Sequence, residues 1–349
     1  MARLLDLLEQ LRNGTKTSMY WIAEPAYVHQ GEYDYLLRLI DALAGKGADA
    51  VKFHIMLNPD EYMVPEHPLY KELQKWLFTR EQWRELFARC RKHGMEIVGL
   101  ADELPSLEFL IEENAEAIAI HATSINDTYM LKGLAQAKQP LFVGIGGISF
   151  PEIEYMLKLL GEKRNLMMMY GIQEYPTPLE HVHLQKLPLY EAKFQCPVGY
   201  ADHTASREQL GRYLAFATAY GLGARLFEQH VTLDLSVKRE DDEAALEPDA
   251  FAELRGQLEL VSRMTGSAVM NIGTEERAYF SAVRKCLVAG QDLPQGTLLT
   301  EQHVKYKRTQ TQGDMDQRDI VHLLGKKLRE PVRKGDAFCW RHLGENGRP

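Results

Sequence analysis

Short apolar runs alternate with amphipathic, helix-like stretches over most of the chain. Each run is rich in β-branched or apolar residues, which is typical of a buried parallel strand. In the stretch YDYLLRLIDALAGKG, one helical face carries Leu36, Leu37, Ile40 and Leu43, and Gly47 is a suitable helix stop. The pattern predicts eight βα units. The predicted strands are Met19 to Ala23, Ala50 to His54, Met95 to Leu100, Ala117 to His121, Leu141 to Ile145, Leu166 to Tyr170, Val198 to Ala201 and Arg225 to Val231.

Eight βα units within roughly 265 residues match the usual size of a closed (β/α)8 barrel, the TIM barrel of the α/β class. Active sites of such barrels lie at the C-terminal ends of the strands. One histidine at a strand end is most often a hydrogen-bonded structural residue, but several polar residues meeting at one barrel mouth predict a functional site. The polar residues that follow or end the predicted strands are Glu24, Lys52, His54, His121, Tyr175, Asp202, His203 and His230.

A smaller unit is predicted after the barrel. The barrel is assigned to residues 1–265, a linker or ordered connecting arm to 266–281, and a compact, mostly β module to 282–349. This module is too small to enclose an active site of its own. Its strand-like runs are CLVA, VKYKR and KLREPV, its turn signals are LPQGTLLT and RKGDAF, and its helix-like run is RDIVHLLG.

Composition narrows the class of protein. The chain has 349 residues, 45% hydrophobic and 26% charged, as in ordinary globular proteins. A net charge of -8 and a pI near 5.9 disfavour a protein that coats nucleic acid or an anionic membrane. Neither a signal peptide nor an uncharged run long enough to span a membrane is evident. Four widely spaced cysteines suit reduced thiols, so a cytoplasmic location is expected.

Four segments carry most of the chemical information. In their order and spacing, the chain resembles the sialic acid synthase family, which includes synthases of related nonulosonic acids and spore-coat polysaccharide biosynthesis proteins. The resemblance extends from AEPAYVHQG near residue 23 to the final module. It implies a TIM barrel followed by a β-rich antifreeze-like (SAF) domain that is swapped in a homodimer. The segments are EYPTP (174–178), ADHT (201–204), EQHVTLD (228–234), and LPQGTLLTEQHVKYKR together with LLGKKLREPVRKGD.

The resemblance also implies a reaction. In this family, phosphoenolpyruvate condenses with the open-chain aldehyde of an N-acetylhexosamine such as N-acetylmannosamine, with the help of Mn²⁺ or Mg²⁺. Such a reaction needs a metal to polarise the aldehyde oxygen, and cationic or hydrogen-bonding groups to neutralise the phosphate and carboxylate. The implied activity is that of a transferase that forms a carbon–carbon bond in polysaccharide biosynthesis.

Catalytic and metal-binding residues follow from the same resemblance. His203 in ADHT and His230 in EQHVT match the two metal-binding histidines of the family. Two neutral imidazoles leave coordination positions for substrate and water. Glu24 matches a glutamate at the first strand end that orients water or the sugar, and Lys52 matches a donor-binding lysine.

Residues for the acceptor sugar are implied in the same way. Tyr175 and Asp241 match positions that contact the sugar, although the PGPDH segment of the family is KREDD here. Arg308 in VKYKR matches an arginine that enters the barrel of the neighbouring subunit and holds the acetamido group. The implied partners are therefore a sugar, phosphoenolpyruvate and a second copy of the chain.

The departures from the family pattern concentrate on the phosphate of the donor. A phosphate is usually held by several charge-assisted hydrogen bonds, so their loss weakens donor binding. Backbone amides of residues 144–147 and the side chains of His54 and His121 offer substitutes, although GIGG is equally consistent with a tight turn and both histidines with a structural role. The substituted positions are Leu100, Ala119, Ala122, Gly144 to Gly146, Gln173 and Ala201.

Three hypotheses remain open from the sequence. The first is a synthase that makes a nonulosonic or related 2-keto sugar acid, with altered handling of the donor. The second is another metal-assisted aldol, lyase or isomerase reaction on a sugar, with a donor that lacks phosphate. The third is a non-catalytic sugar-binding protein that kept the fold, because fold alone does not determine function.

Overall fold

The computed structural model of the chain describes residues 2–15, 18–161, 165–266, 269–311 and 313–344. The chain divides into two compact units, Met1–Gly266 and Ser267–Pro349. No helix within these described ranges is long and apolar enough to cross a membrane.

The first unit is a closed barrel of eight parallel strands in sequential order, which confirms the predicted (β/α)8 barrel. Strand β1 closes the barrel by pairing with β8 as well as β2. The ends of the strands differ from the predictions by one residue at most. The strands are β1 Tyr20–Glu24, β2 Ala50–Ile55, β3 Glu96–Ala101, β4 Ala117–Ile120, β5 Leu141–Gly144, β6 Leu166–Tyr170, β7 Val198–Asp202 and β8 Leu226–His230.

Two departures from the predicted boundaries, one at a strand end and one at a helix end, have a local cause. His121, predicted to end a strand, lies one residue beyond β4 and accepts a hydrogen bond from the backbone N–H of Thr123, which starts a short 3-10 turn. The helix after β1 ends at Leu43, four residues before the predicted stop at Gly47, because the chain already turns at Gly45 with a φ of 72°.

Amphipathic helices follow the strands and form the outer layer. The helix after β1 buries Leu36, Ile40 and Leu43 as predicted, but the fourth buried leucine is Leu39, and the predicted Leu37 is half-buried. The helices of this unit are α1 Ala2–Arg12, α2 Tyr33–Leu43, α3 Tyr70–Leu73, α4 Arg80–Lys92, α5 Leu104–Glu112, α6 Thr128–Gln136, α7 Phe150–Leu160, α8 Lys186–Phe194, α9 Gln209–Gly221 and α10 Pro248–Thr265.

The core has an outer and an inner layer because successive residues of a strand point to opposite sides. Met168 belongs to the outer layer between strands and helices, whereas Met167 and Met169 belong to the inner layer within the barrel. The inner layer also contains four leucines of α1, from Leu4 to Leu11. Because α1 immediately precedes β1, it packs at the N-terminal end of the barrel, and the opposite end is left for the site.

The second unit is built around a two-stranded antiparallel sheet. Its strands are β9 Cys286–Ala289 and β10 Val304–Lys307, and its helices are α11 Thr274–Val283 and α12 Ile320–Leu323. The segment predicted as a linker therefore contains most of α11. The prediction of a strand at KLREPV is wrong, because Lys327 and Val332 form only isolated bridges, to Leu298 and Leu293.

Candidate active site at the barrel mouth

A cavity of about 310 Å³ lies at the C-terminal ends of the barrel strands. The predicted catalytic and substrate-binding residues of the first unit all line it, although they come from six strands or the loops that follow them, whereas Asp202 does not line it. Its polar lining residues are Glu24, Tyr27, Lys52, His54, His121, Gln173, Tyr175, His203, Glu228, His230 and Asp241.

Strand alternation explains why these side chains meet. Lys52 and His54 are two residues apart on β2, and Glu228 and His230 are two residues apart on β8, so each pair faces the same side of its strand. Glu24 ends β1 and lies directly opposite His230 in the strand pairing. Three neighbouring strands thus bring two carboxylates, an ammonium group and two imidazoles to one side of the cavity.

Lys52 joins two buried carboxylates. Its Nζ lies 3.0 Å from an oxygen of Glu24 and 2.9 Å from an oxygen of Glu228. Burial and the charge of Glu24 raise the pKa of Glu228 to about 8 against the opposing effect of Lys52. Burial alone would raise the pKa of Glu24, but Lys52, His230 and His54 lower it well below the usual range. The surroundings therefore favour the ionised form of Glu24 and the protonated form of Glu228.

His54 lies between Glu24 and a further carboxylate, Asp102. Its Nε2 is 3.1 Å from Glu24, and its Nδ1 is 3.8 Å from Asp102, which also accepts a hydrogen bond from the hydroxyl of Tyr27 at 3.0 Å. Burial alone would lower the pKa of His54, but the hydrogen bonds and charges of Asp102 and Glu24 outweigh it and raise the pKa to about 10. His54 is accordingly an imidazolium at neutral pH, in contact with Glu24.

The raised pKa of His54 predicts a pH-dependent stability. The proton is held more tightly in the folded protein than in the unfolded chain, whose histidine pKa is about 6.5. Its stabilisation is therefore complete below about pH 6.5 and is lost as the pH rises towards 10. Over this interval, the free energy of unfolding of the wild type is expected to fall by a few kcal/mol more than that of His54→Gln, measured by urea denaturation. Parallel pH profiles for the two proteins would contradict the assignment.

His203 and His230 present their imidazole rings to the cavity side by side. Their ring centroids are 5.2 Å apart. Nδ1 of His203 lies 2.8 Å from the carbonyl oxygen of Ile172, which can only accept, so the proton is on Nδ1 and the lone pair of Nε2 is free. Burial lowers the pKa of His230 to about 3, and its nitrogens lie 3.3 Å from the hydroxyl of Tyr175 and 3.4 Å from Glu24.

These donors fit a divalent metal ion in part. Neutral imidazole nitrogens beside a carboxylate are suitable ligands for Mn²⁺. Within the described ranges, however, no group of three or more His, Cys, Asp or Glu side chains is arranged to hold a metal ion. A metal on His203 and His230 would therefore take its remaining ligands from substrate and water.

The turn that carries His203 is held from behind by a buried ion pair. Arg212 is 1% exposed and donates to Asp202 at 3.1 Å and to the carbonyl oxygens of Thr204 and Ala244 at 2.7 and 3.2 Å. Asp202 also accepts from the hydroxyl of Thr204 at 2.7 Å. Asp202 is thus a structural residue of the wall, unlike the other polar residues at the strand ends.

Tyr175 and Asp241 are joined at the rim of the cavity beside His230. The hydroxyl of Tyr175 donates to the backbone carbonyl of Asp241 and accepts from the N–H of Ala244 at 3.2 Å. The carboxylate of Asp241 accepts from the N–H of Tyr27 at 3.1 Å. The KREDD loop therefore places Asp241 at the cavity despite its departure from the family sequence.

The other predicted residues have different surroundings. His121 receives the N–H of Thr123 on Nδ1 at 3.3 Å, and burial, with the charges of His54 and Lys52, lowers its pKa to about 4, so a neutral ring carries its proton on Nε2. Gln173 lines the cavity next to Gly146, where a Cβ would lie 3.0 Å from the Gln173 side chain. Arg308 directly follows β10 in the second unit and is exposed.

Three residues of the site were not predicted from the sequence. Glu228 lies in the EQHVTLD motif, two residues before His230, and the period of a strand was enough to place both on one face. Asp102 directly follows β3, in the position of the other polar residues at strand ends. Tyr27 lies in AEPAYVHQG beyond β1, in irregular structure, where no periodic signal indicates its direction.

The model of the NeuB family matches residues 39–270, about two thirds of the chain. The chain belongs to the NeuB family. Curated relatives in this family include N-acetylneuraminate-9-phosphate synthase of Homo sapiens, which is 28% identical over 96% of this chain and 95% of the relative. N,N'-diacetyllegionaminic acid synthase of Campylobacter jejuni is 27% identical over 82% of this chain and 89% of the relative. The resemblance to sialic acid synthases is thereby confirmed.

A solved structure shows the same fold. The N-acetylneuraminic acid synthetase of Leptospira borgpetersenii, in complex with citrate, superposes with a TM-score of 0.69 at 24% identity, over 76% of this chain and 90% of the other. This comparison supports the barrel architecture of the NeuB-family chain.

Proposed function

We propose that this NeuB-family chain condenses a three-carbon donor acid with the open-chain aldehyde of an N-acetylhexosamine-type sugar. The product is a nonulosonic, sialic acid-like 2-keto acid for surface polysaccharide. The donor that the family resemblance implies is phosphoenolpyruvate. The proposal rests on the convergence of Lys52, Glu24 and Glu228 with the adjacent imidazoles of His203 and His230 in one cavity.

The roles of the residues follow from their positions. His203 and His230 would hold Mn²⁺ or Mg²⁺, and the bound ion would polarise the aldehyde oxygen as a Lewis acid. Lys52 faces the donor with a positive charge. Glu24 and Glu228 lie beside it, where their carboxyl groups are placed to take up or deliver a proton as carbon–carbon bond formation proceeds.

The acceptor sugar is assigned to the rim. Tyr175 and Asp241 offer it a hydroxyl and a carboxylate at the mouth of the cavity. We further propose that the second unit is an antifreeze-like module, and that in a domain-swapped homodimer it supplies Arg308 to the barrel of the second copy for the acetamido group.

The experiment is a product assay with the full chain in Mn²⁺. N-acetylmannosamine and related hexosamines are offered with either phosphoenolpyruvate or pyruvate, and 2-keto sugar acids are detected by mass spectrometry. Sugar-dependent product with either donor is expected, and EDTA should suppress it. Absence of product with both donors across the hexosamines would reject the proposed condensation.

A further inference from the structure

One arginine fastens the loop that carries Asp241, residues 231–247 after β8, to the segment between β1 and α2, residues 25–32. Resting on the proposed binding of the acceptor sugar by Asp241, we propose that Arg239 is a positioning residue, which holds the carboxylate of Asp241 where the sugar binds. Arg239 is not among the residues that line the cavity, so it acts on the sugar only through Asp241.

The side chain of Arg239 makes three contacts with residues just before or at the start of α2. Its Nη1 donates to the carbonyl oxygen of Val28 and to a carboxylate oxygen of Glu32, both at 3.1 Å. Its guanidinium carbon lies 3.9 Å from the ring centroid of Tyr35. The side chain of Arg239 is only 12% exposed. A cation with so little access to water needs opposite charge and hydrogen-bond acceptors around it, so these contacts fix Arg239 in place.

The aromatic ring beside Arg239 is itself attached to the start of the same loop. Tyr35 is buried, and its hydroxyl accepts a hydrogen bond from the backbone N–H of Leu233 at 2.9 Å. The hydroxyl of Tyr35 also lies 2.8 Å from that of Thr232. The loop after β8 is thus attached to α2 at two points, first at the hydroxyl of Tyr35 and then at its ring. Asp241 follows the second point by two residues.

Asp241 depends on this attachment because its backbone is strained. Its φ is 58°, in the left-handed region that a residue with a Cβ adopts only where the surroundings determine it. Its carboxylate accepts from the N–H of Tyr27 at 3.1 Å. Tyr27 directly precedes Val28, whose carbonyl binds Arg239, so the two contacts are neighbours between the same two segments. Without the Arg239 contact, the loop is free to relax and the carboxylate of Asp241 to leave the cavity.

The attachment is a feature of this chain. When KREDD is aligned with the PGPDH segment of the family, Arg239 takes the place of glycine. Glycine has no side chain that could reach Tyr35. Lysine could supply the charge, but it lacks the planar group that stacks on a ring while it donates to two acceptors. Arginine is therefore the residue type that makes all three contacts.

The first test compares the KM values of the two substrates. Arg239→Met should raise the KM for N-acetylmannosamine, or for the hexosamine that the wild type uses best, by at least about tenfold, the loss expected for one misplaced hydrogen bond to a charged group. The KM for phosphoenolpyruvate should stay within about twofold of the wild type, because only the acceptor contacts Asp241. Arg239→Lys should restore part of the affinity for the sugar. An equal rise in both KM values would indicate a general structural role and overturn the inference.

A double variant shows whether Arg239 acts through Asp241. In the background of Asp241→Ala, Arg239→Met should cause no further rise in the KM for the sugar, and additive effects would overturn the inference. Arg80→Met is the matched control. Arg80 also pairs with a carboxylate, Glu112 at 2.8 Å, and lies 5.3 Å from the ring centroid of Phe109, but it does not line the cavity. Both KM values should be unchanged in this control.

A substrate-free measurement separates this inference from the proposed condensation. Amide hydrogen exchange, followed by mass spectrometry, should be at least about tenfold faster in residues 25–32 and 231–247 of Arg239→Met, and unchanged in Arg80→Met. Glu32→Gln, which alters an exposed partner of Arg239, should give a smaller increase. A wild type that forms no product, together with this local increase in Arg239→Met, would reject the condensation and retain the attachment. Unchanged exchange in both segments would overturn the inference.

Discussion

Replacing His203 with alanine is expected to abolish turnover and to remove stoichiometric binding of Mn²⁺. The Nε2 lone pair of His203 is free because its Nδ1 proton is bonded to the carbonyl of Ile172. Of the described cavity residues, His230 is the second imidazole at the proposed metal position, and a single imidazole is too few protein ligands for a stable site. We expect product formation to fall by about a thousandfold or more, since a Lewis acid contributes several kcal/mol to such a step. Steady-state kinetics and metal analysis of the dialysed protein measure the two effects.

A surface histidine provides the matched control. His67 is exposed in the loop after β2, and His67→Ala should bind Mn²⁺ and turn over as the wild type does. His230→Ala should reproduce the loss seen for His203→Ala. Full activity in His203→Ala, with Mn²⁺ still bound, would show that the metal assignment is wrong.

The second large effect is expected from Lys52→Met. Methionine is similar in length, but it leaves Glu24 and Glu228 buried against each other without the shared ammonium group. Removal of one partner from a buried charge cluster costs about 3 to 5 kcal/mol, because the remaining charge is not compensated. The free energy of unfolding in urea should fall by about this amount, and turnover should fall at least about a hundredfold, because the donor loses its cation.

Two comparisons separate charge burial from a general effect of the substitution. Lys193 pairs with Glu154 at 3.2 Å on the surface, where both side chains are about half exposed. Lys193→Met should therefore change stability by less than about 1 kcal/mol. The double variant Lys52→Met with Glu228→Gln should recover part of the stability but none of the turnover. A Lys52→Met protein as stable as the wild type would contradict the ion cluster.

The barrel could be predicted because its signal is local. An apolar run such as Leu166 to Tyr170 is buried on both faces of a parallel strand, so its composition alone marks it, and the structure places a strand over the same residues. The structure of the second unit was harder to predict from the sequence. KLREPV was predicted as a strand, but it forms only isolated bridges to its neighbours. Strand pairing depends on which segments the tertiary fold places next to each other, and the local sequence does not show this.

The candidate site was also predicted only in part from the sequence. Strand ends and the family resemblance pointed to Glu24, Lys52, His203 and His230, which line one cavity. Glu228 was missed although the two-residue period placed it beside His230. Asp202 shares the strand-end pattern but is bonded to Arg212 in the wall. A strand-end position indicates where a side chain starts, and the packing around it determines whether it reaches the cavity.

The sequence by itself determined the order of the βα units, the residue types at the barrel mouth and the family of the chain, because these depend on local periodicity and motif. Only the tertiary structure decided the charge state of the site. Lys52 meets Glu228 across 176 residues of chain, and His54 meets Asp102 from the neighbouring strand. Desolvation and Coulomb interactions depend on distances in space, so the ion cluster around Lys52 and the raised pKa of His54 appear only in the folded barrel.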